Sequence, residues 1–156
     1  MEFKKIDIGR QGNLILALLL IHFVFFGYLS EVYRKTIGMN ILFLYNVIFN
    51  PRSFLSFIIL FIIIFILTFR ENFFEYGIRN SIWTIPFIMV ESWVWYWFIF
   101  EEFDITIIGI YFIRIESYIT IISLFMIILL ASFLGAMAKE QYKRYLYKTK
   151  VIVIEQ

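Results

Sequence analysis

The residues of this chain that could do chemistry are few, and most of them sit inside apolar runs. Glu91 lies near the middle of residues 82–100, a stretch that holds all four tryptophans (Trp83, Trp93, Trp95 and Trp97) and Pro86. An acid at the centre of a bilayer costs about 2.5–3.5 kcal/mol on insertion scales, so it is expected to face a bundle interior, a partner or a cavity. Burial among aromatic rings favours the neutral carboxyl. In that form it can donate a hydrogen bond, shuttle a proton or protonate an alkene, or simply tie two helices together. At helical spacing it shares a face with Phe87, Ile88, Val94, Trp95 and Phe98.

His22 is the only histidine and lies near the centre of a second apolar run, residues 13–29. It can bond across helices, or partner Glu91 if the two helices meet. It can also supply one ligand to a haem shared with another chain, but not two. Glu116, with Arg114 two residues before it, stands at the mouth of the apolar run 118–138. It either faces Glu91 across a cavity or anchors the chain at the membrane surface. Glu101, Glu102 and Asp104 are close enough to hold a hard cation, and as consecutive acids at a helix end they read more simply as a solvated cap.

These positions imply an all-α integral membrane protein. Of its 156 residues, 62% are hydrophobic and 17% charged, against ~45–50% apolar and ~25% charged for a soluble domain. Four spans are expected, at 13–29, 54–69, 82–100 and 118–138, in one membrane domain covering 1–156. Ser81 reads as the N-cap of the third span, and Pro86, one turn inside it, as a bend. Residues 37–49 are apolar but reach only about 20 Å as a helix, too short to cross. Residues 105–138 as one helix would run about 51 Å. They are therefore divided into a short segment, 105–113, turning at Gly109, and the fourth span. Both short segments read as interfacial, 37–49 alternatively as re-entrant. The tail 139–156 is expected to stay at the membrane surface.

The N-terminal tail, the 70–80 connector and the C-terminal tail together hold ten lysines and arginines, against four on the opposite face (Arg34, Lys35, Arg52 and Arg114). The positive-inside rule then places both termini on the cytoplasmic or matrix side, in a plasma membrane or an organelle inner membrane. Ala131 with Gly135, and Ser132 with Ala136, form small-xxx-small pairs that let helix backbones approach closely. The tryptophans also suit interfacial belts. The chain has no cysteine, phosphate loop, metal-ligand spacing or catalytic triad, so no cofactor is expected. A net charge of +2 is too small to argue for nucleic acid. The first run lacks a small-x-small exit before Ser30, and no cleavable leader is expected.

Residues 55–130 resemble a lycopene cyclase domain, through Phe69-Arg70, Pro86 to Glu91, Trp97 to Phe100, Gly109 and Arg114-Ile115-Glu116-Ser117. The resemblance implies that Glu91 and Glu116 protonate a polyene and steady the carbocation, in a cavity lined by aromatics. The chain departs from the family where Val90-Glu91 replaces Trp-Asp and where the Pro-x-Glu-Glu motif keeps one glutamate and no proline. An extra span also precedes the domain.

The first expectation for function is a supporting subunit of a larger membrane complex, respiratory or otherwise, with the bilayer and other membrane subunits as partners. An isoprenoid cyclase half-domain is the second, and a small transporter or channel the third.

Overall fold

The computed structural model describes residues 8–33, 38–51, 54–71 and 74–154. Every regular element among them is helical. The first rod is α1 (Ile8–Leu20), a π-helical stretch (Ile21–Phe26) and α2 (Gly27–Tyr33). Leu20 and Gly27 keep right-handed helical dihedrals, so the rod is continuous through the π turn. That turn has a packing consequence. Ala17, Ile21, Phe25, Phe26 and Leu29 are all buried, and widening the helix lets the adjacent Phe25 and Phe26 both reach the core.

A 3-10 turn (Gly38–Ile41) and the four-residue α3 (Tyr45–Ile48) follow. Ile41, Leu42, Phe43, Leu44, Val47 and Ile48 are buried. The segment packs into the fold, because six apolar side chains in eight residues are better buried than spread on a surface.

α4 (Phe54–Arg70) is the central helix, packed against α1, the π stretch, α5 and α7. Ser56, Leu60, Ile63, Ile64, Leu67 and Thr68 face inward, while Phe54, Leu55, Ile62 and Ile66 are exposed on the other side. α5 (Phe74–Phe100) runs unbroken through Pro86. It starts eight residues earlier than residue 82, so Ser81 is not a cap. Its hydroxyl donates to the Gly77 carbonyl one turn back, at 2.8 Å, and the charged connector winds into helix.

α6 (Thr106–Ile113) and α7 (Ile115–Ile154) complete the chain. Gly109 lies inside α6, and the turn falls at Arg114, whose backbone is extended. α7 is one helix of 40 residues, about 60 Å long, so the tail continues the last helix instead of leaving it. An i,i+4 pair from Arg144 to Glu140, at 2.6 Å, supports that extension.

Three helical rods are long and apolar enough to cross a membrane, Gln11–Glu31, Glu75–Phe100 and Ile115–Tyr147, and α4 is a shorter apolar helix of 17 residues. Arg34, Lys35 and Arg52, which entered the charge count, lie outside the described residues.

Small residues set the closest approach in the bundle. Ala131, Ser132, Gly135 and Ala136 are buried. A Cβ on Gly135 would sit 2.7 Å from the Phe65 carbonyl oxygen, so glycine is what lets α7 reach the α4 backbone. A Cβ on Gly77 would come equally close to the Thr68 methyl. Thr68 is thus enclosed by α5 and α7. Its hydroxyl donates to the Ile64 carbonyl at 3.1 Å and shares a bond with Ser81 at 3.0 Å.

The α5–α6 corner yields two predictions. Glu101 follows α5 with a positive φ of 56°, a left-handed position where a Cβ costs roughly 1–2 kcal/mol. Glu101→Gly is expected to raise the midpoint of thermal unfolding, net of glycine's extra chain entropy. Asp104 accepts bonds from the Thr106 hydroxyl (2.6 Å) and the Thr106 N–H (2.8 Å), and these hold its carboxyl below the ordinary 3.8. A depressed folded value means that the bonded carboxylate stabilises the corner at pH above 3.8, and that this contribution disappears as pH falls through the lowered value. Protection factors of α6 amides, taken against intrinsic exchange at each pH, are expected to fall on acidification below 3.8 in the native chain and to lose that step in Asp104→Asn.

Candidate functional site: a histidine–glutamate pair between two helices

The π stretch and the middle of α5 meet, and the contact joins the two titratable groups at their centres. His22 Nδ1 lies 2.7 Å from Glu91 Oε2. Two elements set this up. The π turn carries His22 on the shoulder of a rod whose buried side is Phe25 and Phe26. On α5, Ile88 and Ser92 turn inward and Glu91 flanks them.

The surroundings are aromatic. Trp95, one turn after Glu91, has its ring 5.6 Å from the His22 ring and stacks on Phe26 at 6.3 Å with near-parallel planes. Phe23 meets the imidazole edge-on at 4.7 Å, and Phe98 meets Trp95 edge-on at 6.2 Å. The pair is asymmetric in exposure, with 13% of the Glu91 side chain accessible and 32% of that of His22. Glu91 faces into the fold, and His22 opens outward beside Phe23, which is 68% exposed.

The other candidates fall elsewhere. Glu116 begins α7, half-buried, and its backbone carbonyl accepts from the Thr120 hydroxyl. No hydrogen bond or ion pair among the described residues joins it to Glu91 or to Arg114. The Arg114 guanidinium instead lies over the Phe43 ring at 5.7 Å. An apolar cleft of about 500 Å³ is lined by Ile48, Phe49, Pro51, Phe54 and Phe57, and a smaller one of about 150 Å³ by Leu42, Tyr96, Phe100, Glu102, Asp104, Ile107 and Ile110. Glu91 and Glu116 line neither. Among the described residues no group of three or more potential ligands could hold a metal ion.

Comparison with known protein families, curated proteins and solved structures finds no match. The case for function therefore rests on the geometry.

One polar cluster escaped the sequence reading. Glu71, only 4% exposed, accepts from the Asn80 amide at 3.2 Å. Lys139 donates to the backbone carbonyls of Glu71 (2.5 Å) and Arg70 (3.2 Å), capping the end of α4. This knot ties α4, α5 and α7 at one end. In sequence its members look like an ordinary charged connector and tail, and nothing about their spacing separates them from solvated groups.

Four buried polar atoms find no partner among the described residues, namely Ser56 Oγ, Trp93 Nε1, Trp95 Nε1 and Tyr111 Oη. Trp93 and Tyr111 are edge-on neighbours at 5.6 Å, and burial pushes the Tyr111 hydroxyl up to about 12, so it remains a neutral O–H.

Proposed function

We propose that this chain is a supporting subunit of a larger membrane assembly, and that the face carrying His22 is where it meets its neighbour. On this reading α4 crosses the bilayer with the three longer rods, giving four spans, and both termini lie on the cytoplasmic or matrix side. The observation that carries the proposal is the exposure of His22. Its side chain is 32% exposed, midway along a rod whose outward residues Ile15, Leu19, Phe23 and Val24 are all exposed. A polar ring turned toward acyl chains at that depth is costly, and such groups are found covered by protein or lining a cavity.

The same geometry bears on Glu91. One of its carboxyl oxygens, Oε2, is paired inside the chain with His22, so the acid serves first as a clamp between α5 and the first rod. The unmet need is displaced to the outer side of the imidazole.

The test is recovery of the tagged chain from its native membranes in a mild detergent. A stoichiometric set of further membrane proteins is expected to co-purify. A homogeneous preparation of this chain alone would refute the proposal.

A further inference from the structure

The knot of Glu71, Asn80 and Lys139 fixes three helices at one level. Gly77 lies against Thr68, Asn80 reaches Glu71, and Lys139 reaches the Arg70 and Glu71 carbonyls. The end of α4, the first turns of α5 and the basic extension of α7 therefore share a depth. Each helix brings a cation to it. Arg70 and Arg79 are exposed, and Lys143 is exposed one turn after Lys139.

Most acids at this level are already engaged. Glu71 is buried and bonded to Asn80, and Glu140 is paired with Arg144, while Glu75 stays exposed. Among the described residues no carboxylate pairs with Arg70 or Arg79. Arg79 lies over the Tyr76 ring at 4.8 Å. The far ends of α5 and α7 are opposite in sign. They carry Glu101, Glu102, Asp104 and Glu116, and Arg114 there is turned over Phe43.

Depth decides what the cations meet. With α4 as a span, its 17 residues reach about 25 Å, short of the ~30 Å hydrocarbon core. A short span thins the bilayer around it and draws its flanking groups to the boundary. Arg70 then stands at the level of the lipid phosphates, and the knot holds Arg79 there with it. Aromatic rings mark the same boundary, where tyrosine is favoured. Tyr142 meets Phe69 at 6.1 Å, and Tyr76 lies under Arg79. A guanidinium without a carboxylate partner matches a phosphate, whose oxygens accept from its planar fork.

We infer that this end of the bundle is a docking surface for anionic phospholipid headgroups, with Arg70 and Arg79 as its main contacts. A zwitterionic headgroup brings a cation of its own into a crowd of cations, and an anionic one does not. An acidic protein segment would match the charge, but phosphates already stand at this depth around the whole bundle. The inference rests on the reading of α4 as a span, and adds which lipid borders it.

The test uses the full chain in nanodiscs of mixed phosphatidylglycerol and phosphatidylcholine, with the lipids retained on release counted by native mass spectrometry. Phosphatidylglycerol is expected to be retained in preference. Each of Arg70→Gln and Arg79→Gln should lower that preference about fivefold. Lysine at either position should keep most of it, and Arg114→Gln at the far end should leave it unchanged. Equal retention of the two lipids overturns the inference, as does a preference that survives both glutamine variants or falls as far in Arg114→Gln. Glutamine variants that keep the lipid ratio but shed a protein subunit in native membranes assign the surface to an acidic protein, and overturn it too. The chain has no cysteine, so Asn50→Cys and Glu75→Cys, at exposed positions before and after α4, each give one thiol for an impermeant maleimide. Opposite-side labelling without the lipid preference refutes the lipid inference alone. Same-side labelling with the preference intact refutes the span reading alone.

Discussion

Gly135→Val is expected to be the most damaging single substitution in the bundle, destabilising it by about 3 kcal/mol. Even alanine at 135 places a Cβ 2.7 Å from the Phe65 carbonyl oxygen, a backbone atom that cannot swing aside. α4 and α7 must separate, and the loss spreads along the seam to Ala131 and Ser132, both fully buried. Gly77 provides the contrast. There the obstacle is the Thr68 methyl, so Gly77→Ala should be rescued by Thr68→Ser, which removes that methyl and keeps the hydroxyl bonds to Ile64 and Ser81. The same Thr68→Ser should leave Gly135→Ala unrescued. Thermal unfolding in nanodiscs for the singles and doubles reads both outcomes.

His22→Phe and Glu91→Leu are each expected to cost about 1–3 kcal/mol, because each strands the other partner at mid-depth. The double variant should recover much of that loss, since apolar packing replaces both halves of the pair together. The coupling energy also distinguishes a neutral hydrogen bond from an ion pair. Interhelical hydrogen bonds in membranes average about 0.6 kcal/mol and reach about 1.7. A coupling within that range describes a neutral hydrogen bond between the two side chains. A coupling of 3–5 kcal/mol, the scale for breaking a buried ion pair, describes an imidazolium–carboxylate pair. Additive singles would show that the 2.7 Å contact does not hold the first rod to α5.

Much of this was readable from residue types alone. Long apolar runs announced the helices around His22, Glu91 and the small residues of α7, and the rarity of titratable groups in those runs pointed to His22 and Glu91. The choice of partner was not readable. Glu116, His22 and another subunit were equivalent candidates for Glu91 until distances separated them. The π turn left no periodic signature, because Phe25 and Phe26 both being apolar fits any helical register. Ser81 suggested a cap by residue type, and its hydroxyl instead bonds back one turn, an alternative that serine always offers. Glu71 and Asn80 looked solvated because they sit among charges, and only the early start of α5 folds them inward. The tail after residue 138 changes composition without any glycine or proline to stop the helix, so α7 simply continues.

The cyclase resemblance required Glu91 and Glu116 to serve one cavity. Glu91 pairs through Oε2 with His22, and neither cleft described above includes either acid.

The most direct test of the proposed contact at the His22 face is a photo-crosslinking residue in place of Phe23, the exposed ring against His22, with activation in native membranes before solubilisation. The account predicts one defined protein crosslink, recovered within the same stoichiometric complex that the tagged chain brings down. Crosslinks to lipid alone, from a chain that purifies by itself, would contradict it.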